Sequence, residues 1–223
     1  VAQNEFNKIK TDTKGNLILS ALELFAEHGI DAVSMRTINN AAGTRNASAV
    51  HYHFGNKLGI IEAIIAFIRD ELDTHRKDAV ANLERRAASG DNPSCREILW
   101  ATFTPYYRLY RNPQFGRSAL RFLARLQIDM SPEIQAILNR EPQKLSLRID
   151  ALLARALPDL PTEIRRLRYL YFWNLMVLMF SGSDRLATTG FGDLRAATDE
   201  EGLLRLFDYL VGGMEGGVST SMA

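Results

Sequence analysis

Between residues 13 and 56 the chain passes through three short stretches of helical periodicity, each closed by a glycine. The first runs from about Thr13 to His28, with Leu17, Ala21, Leu24 and Phe25 on one stripe and Gly29 after it. The second runs from Met35 to Ala42, opened by Ser34 and closed by Gly43. The third runs from Ala47 to Phe54, opened by Asn46 and closed by Gly55. Ser and Asn side-chain oxygens accept orphan N–H groups at helix starts, and glycine takes the left-handed backbone that ends helices. Helices this short are not stable in isolation. They must pack on one another and on the long fourth helix that Asn56 opens and that reaches about Ala88.

The rest of the chain also reads as helical. Sustained alternation and hairpin turns between β-branched runs are missing. Ser89 to Ser94 is a break, and helices are expected at about Cys95 to Arg111, Gln114 to Ile128 and Pro132 to Leu157. Pro105 and Pro142 should kink or interrupt two of these. After the prolines between Leu157 and Thr162, helices are expected from Glu163 to Ala187 and from Asp199 to Val211. The fold class is all-α.

Composition narrows the chemistry. Among 223 residues there is one cysteine, Cys95, so neither an internal disulfide nor a multi-cysteine metal site can form. It is expected to be an inert, packed thiol in a reducing, cytoplasmic setting. The polar segment from Val1 to Lys14 lacks the apolar core of a secretory signal. The apolar run from Tyr169 to Phe180, interrupted only by Asn174, is too short for a bilayer, which needs about 20 residues. No membrane association is expected, and the run should be buried within the protein or between two subunits. His51 and His53, two apart on a helix, point to nearly opposite sides, and Glu71 with His75 lacks a third ligand, so neither a metal nor a cofactor is expected. A phosphate-binding glycine loop and a nucleophile elbow are both missing, so the chain is not expected to be an enzyme.

The segment from Ser34 to Lys57 carries the sharpest signal. Two short helices meet across a glycine-containing turn, the helix-turn-helix pattern whose second helix enters the DNA major groove. On that helix Val50 and Phe54 face inward, leaving Ala47, Ser48 and His51 on an outward face small enough to approach base edges. From Val33 to Lys57 there is no Asp or Glu, while Arg36, Arg45 and Lys57 are cationic. In a chain of net charge +1, an acid-free window of this kind suits contact with phosphates.

Three runs are similar to the DNA-binding region of the TetR family. Phe25-Ala26-Glu27-His28-Gly29-Ile30-Asp31-Ala32-Val33-Ser34 resembles the end of the family's first helix. Ile38-Asn39-Asn40-Ala41-Ala42-Gly43 resembles its second helix and turn. Ser48-Ala49-Val50-His51-Tyr52-His53-Phe54-Gly55-Asn56-Lys57 resembles its recognition helix and the start of the fourth. The resemblance implies a helix-turn-helix DNA-binding domain over residues 1–56 and a helical effector-binding and dimerisation domain over residues 57–223. It implies that Arg36 reaches a base edge, that Ala47, Ser48 and His51 face bases, and that Tyr52 and Lys57 grip phosphates. Ser34, Thr37, Arg45 and Asn46 complete the expected DNA-binding set. The turn from Gly43 to Asn46 is one residue longer than the common family pattern, which leaves the roles of Thr44 and Arg45 open. Lys8, Lys10 and Lys14 read equally as a backbone-tracking arm or as a solvated tail.

For the C-terminal region the resemblance implies a small-molecule effector and a second copy of the chain. Trp100, Phe103, Tyr106, Tyr107 and Tyr110 crowd one helix, either as core packing or as an effector-pocket wall completed by Phe115, Phe122 and Trp173. Arg117, Arg121 and Arg125 form a stripe that reads as a solvated or intersubunit face rather than an anion clamp. A homodimer is expected through Tyr169, Trp173, Met176, Phe180, Leu203, Phe207 and Leu210. The expected function is that of a ligand-responsive regulator, a repressor of a palindromic double-stranded operator, released by a small apolar or aromatic effector.

Overall fold

The computed structural model describes residues 12–44, 46, 48–129, 131–139, 142–196 and 198–218. Arg45, Ala47, Lys8 and Lys10 lie outside the described residues. Among the described residues there are ten α-helices: α1 (Thr13–His28), α2 (Met35–Ala41), α3 (Ala49–Phe54), α4 (Lys57–Ala88), α5 (Cys95–Tyr110), α6 (Gly116–Ile128), α7 (Pro132–Asn139), α8 (Pro142–Ala156), α9 (Thr162–Ser181) and α10 (Asp199–Glu215). A 3-10 turn, Ser183–Ala187, follows α9.

Local chemistry explains most of the boundaries. Ser34 Oγ accepts the Thr37 N–H at 3.1 Å and opens α2, and Asn56 Oδ1 accepts the Gly59 N–H at 2.9 Å and opens α4. The expected helix from Pro132 to Leu157 is two helices, with Pro142 opening the second, where its missing N–H costs nothing. Pro105 stays inside α5 without ending it. The Thr102 and Thr104 hydroxyls donate to the Leu99 and Trp100 carbonyls in the preceding turn, both at 2.8 Å. The expected helix ending at Ala187 stops at Ser181. The last helix runs past Val211 to Glu215, because Met214 is buried and holds the extra turn in place.

Two compact units result, Val1–Glu71 with Leu109–Arg140, and Leu72–Arg108 with Glu141–Ala223. This division differs from the expected cut after residue 56, since the first part of α4 and all of α6 and α7 belong with the N-terminal helices.

In the first unit α1 packs against α6, with the Phe25 and Phe122 rings stacked at 6.2 Å. Leu17, Leu22, Phe25, Ile38, Val50, Ile60 and Ile64 are fully buried there. Burying each such side chain is worth about 1.5–3 kcal/mol. Arginines close two helix ends, where cations offset the dipole and satisfy orphan carbonyls. Arg125 donates to the Ala26 and Glu27 carbonyls of α1 (3.1 and 3.0 Å). Arg69 donates to the Ile137 and Leu138 carbonyls of α7 (3.0 and 3.2 Å). Arg125 is therefore not part of a merely solvated stripe.

In the second unit α9 packs against α8 and α10. Asp150 on α8 accepts from both Arg165 and Arg166 on α9, at 2.8 and 2.7 Å. Burial alone would raise the Asp150 pKa, but the two guanidinium groups outweigh it and hold the carboxyl below its ordinary value. Arg148 on α8 grips Glu84 on α4 through two bonds of 2.8 and 2.7 Å. Cys95 is buried, and burial, with a contribution from Glu215, pushes its thiol up to about 12, so it stays protonated and unreactive. Among the described residues no helix is long and apolar enough to cross a membrane.

Candidate nucleic-acid interface

The second and third helices are held together through one buried amide. Asn39, near the end of α2, is 2% exposed, and its Oδ1 accepts the Val50 N–H of α3 at 3.1 Å. Thr44 adds bonds from its hydroxyl to the Asn39 carbonyl (3.1 Å) and to Asn39 Oδ1 (3.4 Å). Between them Gly43 sits at φ +64°, a conformation that side chains rarely adopt, so the reversal needs glycine. Asn46 Oδ1 accepts the Ser48 N–H at 2.9 Å, and α3 begins at Ala49, two residues later than expected, because the longer turn consumes the intervening positions. After α3, Gly59 lets α4 approach closely: a Cβ there would lie 2.0 Å from the Phe54 carbonyl oxygen.

This scaffold turns Val50 fully inward and leaves Arg36, Thr37, Asn46, Ser48, His51, Tyr52 and His53 exposed. Tyr52 is 83% exposed and meets the His53 ring edge-on at 5.1 Å. An open depression of about 480 Å³ lies on this surface, lined by Thr13, Asn16, Ala42, Gly43, Thr44, Asn46, Ala49, Tyr52 and His53. Its lining holds hydroxyls, amides and an imidazole but no carboxylate, so nothing in it repels a phosphate chain. Thr13 and Asn16 come from α1, outside the window that the sequence marks.

Against this geometry stand the similarities to known proteins. A sequence profile described as bacterial regulatory proteins, tetR family, matches residues 17–64. A second, described as tetracyclin repressor-like, C-terminal domain, matches residues 100–213. The chain belongs to the TetR family. It is a DNA-binding transcriptional regulator of that family rather than an enzyme. Solved TetR-family and other regulator structures share its fold at low identity. The ketosteroid transcriptional regulator KstR2 of Mycobacterium tuberculosis is 17% identical, with a TM-score of 0.61 over 91% of this chain and 95% of that one. A transcriptional regulator from Rhodococcus sp. Rha1 is 18% identical, with a TM-score of 0.61 over 91% and 96%. A member of the TetR transcriptional regulator family from Streptomyces coelicolor A3 is 17% identical, with a TM-score of 0.55 over 92% and 91%.

In this TetR-family chain three residues of the expected DNA-binding set are engaged internally. Lys57 Nζ donates to the carbonyls of Ile30 and Asp31 at 3.0 and 3.4 Å. It pins the start of α4 to the loop after α1 instead of standing free for a phosphate. The Ser34 and Thr37 hydroxyls are 2.7 Å apart and serve the α2 cap.

The aromatic residues of α5 separate into different surroundings. Phe103 is 1% exposed, with ring centroids of Trp100, Phe180 and Phe207 at 5.6, 5.3 and 4.9 Å. Phe103 thus belongs to a packed cluster, at whose edge Trp100 remains 39% exposed. Phe122 is fully buried against Phe25 in the first unit, and Tyr110 is buried beneath the Arg117 guanidinium, 5.3 Å from its ring. Tyr106 accepts the Trp173 Nε1–H at 2.6 Å. Tyr169 bonds to Thr102, and burial, with the nearby Tyr106, raises the Tyr169 phenol above its ordinary range. Trp173 and Tyr107 are half-buried.

The expected dimer residues Met176, Phe180, Leu203, Phe207 and Leu210 are buried within their own unit, each at most 8% exposed. Met176 and Phe180 take the inward side of α9, and Leu203, Phe207 and Leu210 that of α10, which leaves the opposite side of α9 outside. That outer face carries Leu167, Leu170, Tyr171, Leu175, Leu178 and Met179, between 37% and 54% exposed. Among the described residues no group of three or more His, Cys, Asp or Glu is gathered to hold a metal.

Proposed function

We propose that this regulator is a repressor that binds a palindromic operator as a homodimer, reading the major groove with α3. The observation that carries this reading is the exposed, carboxylate-free face built by Arg36, Asn46, Ser48, His51, Tyr52 and His53 on a rigid α2–α3 pair. The exposed apolar row of α9 supports the dimer. Such a row in water favours burial against a matching copy, and two-fold symmetry sets the two α3 helices about one DNA turn apart, roughly 34–36 Å. Selection of bound duplexes from a random pool tests the reading. It predicts an inverted repeat, and recovery of unenriched sequence would overturn it.

A small apolar or aromatic effector that releases the operator is part of the same proposal. The second unit offers two half-buried aromatic groups with polar tips, Tyr107 and Trp173, the latter bonded to the buried Tyr106, which is the mixture that ligand sites use. Linkage requires operator DNA to weaken effector binding by the factor by which effector weakens operator binding. Quenching of Trp173 and Trp100 fluorescence by hydrophobic acids, steroids or acyl compounds, with parallel loss of operator binding, would support it. A full panel that changes neither signal would remove the effector from the account.

A further inference from the structure

The imidazole of His51 is fixed in one tautomer by a backbone carbonyl. His51 Nδ1 lies 2.8 Å from the Gly55 carbonyl oxygen. A carbonyl only accepts, so Nδ1 carries the hydrogen. The bond is returned by the backbone, with the Gly55 N–H donating to the His51 carbonyl at 2.9 Å. The backbone bond closes the last turn of α3, and the single ring bond to the Gly55 carbonyl sets the imidazole rotamer before any partner arrives. Among the described residues no group engages Nε2, and His51 is exposed. The neutral ring therefore presents a bare acceptor at the outer edge of the helix.

In the major groove this acceptor has few partners. Guanine shows O6 and N7, thymine shows O4 and a methyl group, and all of these except the methyl are acceptors. Hydrogen-bond donors come only from the exocyclic amines, N6 of adenine and N4 of cytosine. We propose that His51 is a specificity-determining residue whose Nε2 accepts a hydrogen bond from the exocyclic amine of an adenine or cytosine in each half-site. This rests on the reading of α3 as the base-reading helix. Ser48, one turn earlier on the same exposed side, can both donate and accept and does not discriminate in this way.

The test uses the selected operator at pH 8. At each adenine or cytosine of one half-site the amine is deleted, with purine replacing adenine and 2-pyrimidinone replacing cytosine. Affinities are measured by fluorescence anisotropy for the parent protein and for His51→Ala. One position should show about tenfold weaker binding by the parent on amine deletion, while His51→Ala binds both duplexes alike. The parent titrations stand without the variant, so a folding defect in His51→Ala leaves the proposal falsifiable. Equal parent affinity at every deleted position would overturn it. So would a coupling to 7-deazaguanine, which would make His51 a donor. Failure to select any operator motif would instead refute the base-reading role of α3, and the inference with it.

Discussion

The side-chain carboxamide of Asn39 on α2 accepts the Val50 N–H of α3 at 3.1 Å inside the first unit. The Val50 N–H belongs to the first turn of a helix, where backbone donors have no intrahelical partner. One buried amide thus completes α3 and fixes its direction relative to α2. Replacing Asn39 by Ala strands that donor in the core, at a cost of about 1–3 kcal/mol. Thermal denaturation should show the loss, and operator affinity should fall although Asn39 is buried and touches no DNA.

Lys57 separates a structural from an electrostatic role. Its ammonium donates to the Ile30 and Asp31 carbonyls, so Lys57→Ala should lower the melting temperature as well as DNA affinity. Arg36 is exposed, so Arg36→Ala should leave melting unchanged and lower the salt-dependence slope of binding by about 1. Melting curves and anisotropy at several salt concentrations distinguish the two. Unchanged melting of Lys57→Ala would return it to the role of a free phosphate contact.

The two faces of α9 predict opposite failures. Leu175→Glu with Leu178→Glu places charge on the exposed row and should give folded monomers by analytical ultracentrifugation. Met176→Glu buries an unpaired carboxylate at a fully enclosed site and should unfold the second unit, with a cost of several kcal/mol. Folded dimers from the double variant would exclude the exposed row as the subunit contact.

Acid should weaken the start of α5. Backbone and side-chain bonds from Ser94, with the ion pair to Arg86, hold the Glu97 carboxyl at about 2, against an ordinary 4.5. The folded pKa is depressed, so this contribution is full above about pH 4.5 and is lost as pH falls toward about 2. Asp150 is shifted in the same direction and adds to the loss. Glu97→Gln should reduce stability at pH 7 and flatten the acid limb of a denaturation series. An acid limb identical to that of the parent would contradict the assignment.

What the sequence made legible was local. Ser34 and Asn56 cap their helices through side chains that act three residues away, and Gly43 closes α2 in a left-handed backbone conformation that side chains rarely adopt. Interactions that span long separations left no such trace. Asn39 reaches across 11 residues, Lys57 across 27, and Arg125 across 99, and each looks in the sequence like an ordinary polar or charged helix residue. The apolar run in α9 was visible, but a helix without a polar side has no period to say which face turns inward. Met176 and Phe180 were therefore assigned to the subunit contact, while Leu175 and Leu178 hold the exposed positions.

Hydroxyl-radical footprinting of the protein, with and without the selected operator duplex, tests the central claim most directly. Tyr52 is 83% exposed on the carboxylate-free face, and Tyr209 is 72% exposed on α10. Saturating operator should strongly reduce oxidation of Tyr52, His51 and His53 and leave Tyr209 unchanged. Undiminished oxidation of Tyr52 in a fully bound complex would show that DNA is held by another surface.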